Sequence, residues 1–232
     1  MRASFWRFVL LIAGKDLRIE GKSREVLYTM GFSAGLVVLV FSFALANAAD
    51  PAQGPLTAAG VLWAATLFTG TVALARVLDR ERENEAIRAL LLSPAPRSAI
   101  YLGKLVAVSL LMLVVEVGLV VLVSVLFSTE VFAHPGWLAL VLVLGTVGFA
   151  ATGVVFSAAL LRSRSREALL GALLFPIVIP VLLAASRATA CMFDPLAPDL
   201  APVTFWVRFL FATDVIYIAV GLWVFEPVVS GE

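Results

Sequence analysis

Six apolar runs of roughly twenty residues dominate this 232-residue chain: 27–47, 57–78, 99–127, 137–161, 168–187 and 205–225. A helix that crosses a bilayer needs about 20 mostly apolar residues, and nothing of comparable length lies between these runs. Hydrophobic residues make up 62% of the chain and charged residues 14%, whereas a soluble domain carries about a quarter charged. The fold class is therefore an all-α membrane protein with six transmembrane helices. A signal peptide does not explain the first run. It ends in Ala-Leu-Ala and Ala-Asn-Ala, but it is longer than a signal h-region and a charged leader precedes it, which reads as a retained anchor.

The cations set the expected orientation, because Lys and Arg collect on the cytoplasmic side. Arg2, Arg7, Lys15, Arg18, Lys22 and Arg24 precede the first run. Arg76, Arg80, Arg82, Arg88, Arg97 and Lys104 surround the connection between the second and third, and Arg162, Arg164 and Arg166 lie between the fourth and fifth. Of the seventeen Lys and Arg, only Arg187 and Arg208 fall on the other side. Both termini are thus expected in the cytoplasm, with 48–56, 128–136 and 188–204 outside. Residues 1–26 form a cytoplasmic or interfacial arm, 27–225 the six-span domain, and 226–232 a cytoplasmic tail. Phe5, Trp6, Phe8 and Val9, set against Arg2 and Arg7, suit an interfacial helix in the headgroup layer; a disordered tail is the alternative. Pro195, Pro198 and Pro202 mark 188–204 as irregular.

The connection at 79–98 is unusual in so apolar a chain. Asp79 to Leu92 contains no Gly or Pro. Asp79 with Arg82, and Glu85 with Arg88, are three apart and meet on one helical face. Ile87, Leu90 and Leu91 form an apolar stripe. Pro94 and Pro96 stop the helix, and Ser98 is placed to cap the next. The segment reads as a short amphipathic helix followed by a stiff turn. A solvated loop that only fixes topology leaves Leu90-Leu91-Leu92 unexplained, and exposed apolar residues on a charged helix indicate a binding surface.

Three polar residues inside the spans, Glu116, Asp214 and Tyr217, are candidates for a role beyond packing. Glu116 is twelve residues beyond Lys104, about 18 Å of helix. Asp214 is similarly deep in the last run, with Tyr217 one turn on. A carboxylate at mid-membrane costs roughly 2.5–3.5 kcal/mol on insertion scales, so each acid should face the bundle interior. A role in a conduit or in subunit coupling is one reading; a structural hydrogen bond between helices is the other. The tryptophans, at 6, 63, 137, 206 and 223, mostly lie near span ends, as interfacial anchors do. Gly31-x-x-x-Gly35, and Gly145, Gly148 and Gly153, allow close helix approach, within the chain or to a second copy. Pro176 and Pro180 should bend the fifth span, as a hinge or as a fixed shape. The single Cys191 excludes a disulfide within the chain and a Cys-rich metal site.

Several of these stretches resemble a known family. Glu81-Arg82-Glu83, Leu90-Leu91-Leu92-Ser93-Pro94, Arg97 and Gly103-Lys104 resemble the loop of type-2 ABC exporter permeases, whose coupling helix lies between the second and third spans and docks on an ATPase. Lys15-Asp16-Leu17-Arg18-Ile19-Glu20 with Arg24-Glu25, and Leu174-Phe175-Pro176-Ile177-Val178-Ile179-Pro180-Val181-Leu182 with Ala188-Thr189, resemble the haem exporter protein B family, the permease of the cytochrome c maturation system. The charged pair Ile87-Arg88 departs from that pattern. The resemblance spans nearly the whole chain. It implies a bacterial inner-membrane permease that couples ATP hydrolysis elsewhere to haem delivery, or to release of a haem-loaded chaperone. Glu81, Arg82, Glu83, Glu85, Ile87, Leu90, Leu91, Pro94 and Arg97 would form the coupling loop. Partners implied are two ATPase copies, a second copy of the permease, a haem-handling membrane subunit and an external haem chaperone. Haem is cargo and not a resident cofactor in this reading. His134 and Cys191, both expected outside, are either haem contacts or plain loop residues.

ATP hydrolysis is not expected of the chain itself. A P-loop needs Gly-x-x-x-x-Gly-Lys-Ser/Thr. Gly103-Lys104 has Ser98 at the first glycine position and Leu105 after it, and Gly14-Lys15 and Gly21-Lys22 fit no better. An intramembrane protease would need paired histidines or a Ser–His or Ser–Lys pair; one histidine is present and no such pair is evident. The net charge of +1 gives no case for nucleic acid. A permease for lipid, polysaccharide or drug fits the loop equally well, and a scaffold without a transport cycle is the remaining rival.

Overall fold

In a computed structural model, residues 5–45, 53–83, 96–131, 133–160, 166–194 and 200–230 are described, with side chains for all of these except 76–83, 166–168 and 230. They form seven helices and no strand: α1 (Phe5–Ser23), α2 (Glu25–Leu45), α3 (Gly54–Glu83), α4 (Arg97–Phe127), α5 (Pro135–Ala159), α6 (Arg166–Phe193) and α7 (Ala201–Ser230). The last six each contain a stretch long and apolar enough to cross a membrane. They alternate in direction, so α1 shares one end of the bundle with the starts of α2, α4 and α6. This basic end carries most of the Lys and Arg.

The centre of the bundle is α5. In its most apolar stretch 67% of residues are buried, against 17% for α7 and 22% for α2. Glycine makes this crowding possible. A Cβ on Gly153 would run into Leu74 of α3, and one on Gly145 into the Trp63 ring. At the periphery, α2 buries only the narrow stripe Val26, Met30, Ala34 and Val38. Gly31 and Gly35 lie off that stripe with nothing within 4 Å, so they do not serve packing within the chain.

Between α1 and α2 the chain turns at Arg24, whose φ of 52° is left-handed. Its N–H donates to the Glu20 carbonyl at 2.7 Å. The buried Glu20 side chain accepts from Leu27 N–H at 3.0 Å, placing a carboxylate on a donor that the first turn of α2 leaves unpaired.

Helix ends differ from expectation in four places. The residues 188–193, expected in an irregular loop, complete α6, because Ala184 to Ala190 are good helix formers and no proline follows Pro180 before Pro195. Pro202 sits in the first turn of α7, where a missing N–H costs nothing. Ser98 does not cap α4: Pro96 is the N-cap residue (φ −57°, ψ 138°), without a side-chain cap bond. The last helix continues through Pro227 to Ser230, past the expected end at 225.

Candidate functional site

The first turns of α4, directly after the 79–98 connection, make contacts in several directions. Arg97 lies 3.8 Å from Glu226 of α7. One turn on, the fully buried Tyr101 donates its hydroxyl to the Ala151 carbonyl of α5 at 3.1 Å. Its ring packs on Phe225 with centroids 5.5 Å apart, and Gly221 of α7 leaves room for the phenol oxygen. Then come Gly103 and Lys104. A Cβ on Gly103 would lie 2.8 Å from Ile12 and 3.1 Å from the Val9 carbonyl, so α1 rests on bare α4 backbone. Lys104 is buried and its Nζ is 2.6 Å from Asp16 Oδ2. Two motifs that lie 88 residues apart in sequence thus meet as an ion pair.

Of the expected coupling-loop residues, only Arg97 is fully described. Glu81, Arg82 and Glu83 form the last residues of α3, so that helix extends well into the charged stretch; their side chains lie outside the described set. Glu85, Ile87, Leu90, Leu91 and Pro94 lie outside the described residues altogether.

The intramembrane acids flank α5. Glu116 of α4 is 1% exposed, and the Thr146 hydroxyl lies 2.7 and 2.8 Å from its two carboxyl oxygens. Having one proton, the hydroxyl donates to one oxygen at a time. Asp214 of α7 is 3% exposed and sits over Gly148, whose Cβ would come 2.5 Å from Oδ1. Neither oxygen of Asp214 has a hydrogen-bond partner among the described residues. Thr146 and Gly148 are two residues apart, on nearly opposite faces of α5 and about 3 Å apart along its axis. The two acids therefore sit at similar depth without facing each other. Tyr217 does not bond Asp214; it donates across the seam to the Ile177 carbonyl of α6 at 2.7 Å. That carbonyl lies between Pro176 and Pro180, in a helix stretch short of N–H donors.

The Glu116 pairing yields a first expected result. Thr146→Val keeps the shape and removes the donor, leaving a buried carboxyl unsatisfied. Stability in detergent should fall by about 1–3 kcal/mol. Thr146→Val combined with Glu116→Leu should recover most of that loss in the same thermal unfolding assay, since both polar groups are then gone. A double variant no better than the single would mean that Thr146 acts through packing alone.

At the other end, His134 is half-buried at the N-cap of α5, with no side-chain cap bond and Pro135 following at the first helical position. Cys191 lies in the last turn of α6 and is half-buried, not in a loop. Among the described residues, no three His, Cys, Asp or Glu gather as a metal site. Trp63 is 2% exposed, so it is no interfacial anchor. Its indole N–H donates to Thr189 of α6 at 3.0 Å.

Sequence reasoning singled out Lys104 and Asp16 only as motif members. A signal was available: a lysine five residues after the expected start of a spanning helix needs an acidic partner from the same end of the bundle. Thr146, Trp63 and Tyr101 gave no comparable signal, because apolar spans tolerate hydroxyl and indole groups without them.

Six apolar helices of spanning length, five of them gathered about a central one with buried acids on either side, define a multi-pass membrane protein. The family described as CcmB protein matches residues 7–227. The chain belongs to that family, which supports a haem exporter permease role in cytochrome c maturation and membership of an ABC transporter complex with an ATPase partner. Among curated proteins nothing matches the chain.

Proposed function

We propose that this chain is the coupling permease of the complex. In this reading its termini and its 79–98 connection are cytoplasmic, and that connection docks on the ATPase through Leu90 and Leu91. The chain carries no nucleotide site of its own; two ATPase subunits close on ATP beneath two copies of the permease. A haem-handling membrane subunit and an external haem chaperone complete the assembly. The cycle ends in haem delivery or in release of the loaded chaperone. The arm helix α1 lies along the cytoplasmic leaflet.

One observation carries this reading. The segment that leaves the connection, Arg97 to Lys104, is tied at once to α7 through Arg97 and Tyr101, to α5 through Tyr101 and to α1 through Lys104. A displacement delivered there reaches three other helices without a flexible joint. Such packed, hydrogen-bonded elements are the physical means by which coupling travels. The buried acids beside α5 belong, in this reading, to the part that moves.

The test is co-purification. The intact chain should bring down an ATPase subunit, and Leu90→Asp with Leu91→Asp should lose it while the six-span bundle stays folded. Haem or a haem chaperone in the same complex would favour this cargo over a lipid, polysaccharide or drug. An ATPase bound equally by both forms would mean that docking lies elsewhere. No ATPase with either form would leave the chain a scaffold.

A further inference from the structure

The arm helix α1 carries four cations, Arg7, Lys15, Arg18 and Lys22, and two acids, Asp16 and Glu20. The fold treats the two signs differently. Both acids turn toward the bundle: Asp16 onto Lys104, and Glu20, 3% exposed, onto the N–H of Leu27. All four cations are exposed, as is Arg24 at the turn. Arg7, Arg18, Lys22 and Arg24 have no ion-pair partner among the described residues. The outward charge of this helix is thus uniformly positive, although its composition is mixed.

The arrangement around the axis is equally ordered. With 3.6 residues per turn, Arg7, Arg18 and Lys22 fall within roughly 60° of one another. Val9, Ile12, Ala13, Asp16 and Glu20 occupy the face turned to the bundle, against α4 and the start of α2. Between the two lies a flank of Trp6, Leu10 and Leu17. Trp6 is 65% and Leu10 68% exposed, and Leu11, 60% exposed, sits within the basic strip. Helix, apolar flank and basic strip are held in fixed rotation by the Gly103 contact and the Lys104–Asp16 pair. An apolar flank beside a cationic strip is the pattern that binds an anionic membrane surface.

We infer that the strip Arg7–Arg18–Lys22 is a binding surface for the phosphate of anionic phospholipids in the leaflet that α1 lies against. The Trp6–Leu10 flank enters the acyl region and the long basic side chains reach up to the headgroups. The inference rests on the interfacial placement of α1 proposed above. Each cation close to an anionic surface contributes about fivefold to partitioning, so the strip would enrich such lipid around the α1–α4 contact.

The test uses the full chain in phosphatidylcholine vesicles holding a minority of phosphatidylglycerol. Dibrominated acyl chains are placed on one lipid or the other at equal mole fraction. The Trp6 signal is isolated as the difference between the chain and its Trp6→Phe variant. Brominated phosphatidylglycerol should quench Trp6 more than brominated phosphatidylcholine does. The excess should fall at least fivefold in Arg7→Gln/Arg18→Gln/Lys22→Gln. It should also shrink with the unaltered chain in molar salt, where the screening length drops from about 10 Å to about 3 Å. Equal quenching by both lipids overturns the inference and leaves α1 interfacial but unselective, its strip open to an acidic protein surface. Quenching by neither overturns the interfacial placement too.

Discussion

Lys104→Met will loosen α1 from the bundle. Lys104 and Asp16 are 3% and 9% exposed at the side chain and 2.6 Å apart. Removing one member of a buried pair leaves the other charge uncompensated, at a cost of about 3–5 kcal/mol. Lys15 lies 3.1 Å from Asp16 and is 42% exposed, so it retains part of the interaction and puts the loss at the lower end. Trypsin should then cut at Arg18 and Lys22 faster than in the unaltered chain, and the unfolding temperature in detergent should drop. Adding Asp16→Leu removes the stranded carboxylate. Stability should return, because a buried pair replaced by apolar groups is often neutral or better. Coupling should not return with it if the charged contact itself transmits motion: ATPase activity in the assembled complex separates the two roles. An unchanged melting temperature for Lys104→Met would show that Gly103 packing alone holds α1.

Much of the fold was legible because its constraint is one of length. Each apolar run that reaches about thirty ångströms of helix becomes a span, whatever its neighbours do. The ends were less legible. The prolines at 195, 198 and 202 all suggest a break, yet Pro202 simply occupies a first helical turn. The partners of the buried polar groups were not legible at all. Glu116 and Thr146 are thirty residues apart on different helices, and no periodicity links them. The same holds for Trp63 with Thr189, 126 residues apart. Position near a span end suggested an interfacial tryptophan, whereas the glycine that accepts its ring lies on another helix. Lys15-Asp16 and Gly103-Lys104 were visible as motifs, but only the helix packing makes them one contact.

Gly145→Ala and Gly31→Ala should shift stability in opposite directions. Both glycines are in helix interiors, where alanine is the better residue by about 0.5–1 kcal/mol. At Gly31 nothing lies within 4 Å of the added carbon, so that preference should appear as a small gain. At Gly145 the added carbon falls well inside contact distance of the Trp63 ring. The ring cannot swing aside cheaply. It is 2% exposed, and its N–H is tied to Thr189, which in turn donates to the Ala185 carbonyl at 2.8 Å. Either α3 moves off α5 or the indole bond breaks. Overpacking of this kind costs about 1–3 kcal/mol, and Gly145→Leu should exceed that range and block assembly of α3, α5 and α6. Trp63→Phe in the Gly145→Ala background shortens the ring and should recover part of the loss, while the single Trp63→Phe change, which opens a gap and removes the indole donor to Thr189, should itself destabilise. Thermal unfolding of the five variants in detergent reads the sign directly. Additive losses for Gly145→Ala and Trp63→Phe would mean that the two side chains do not share this space, and that α5 packs on α3 by a different face.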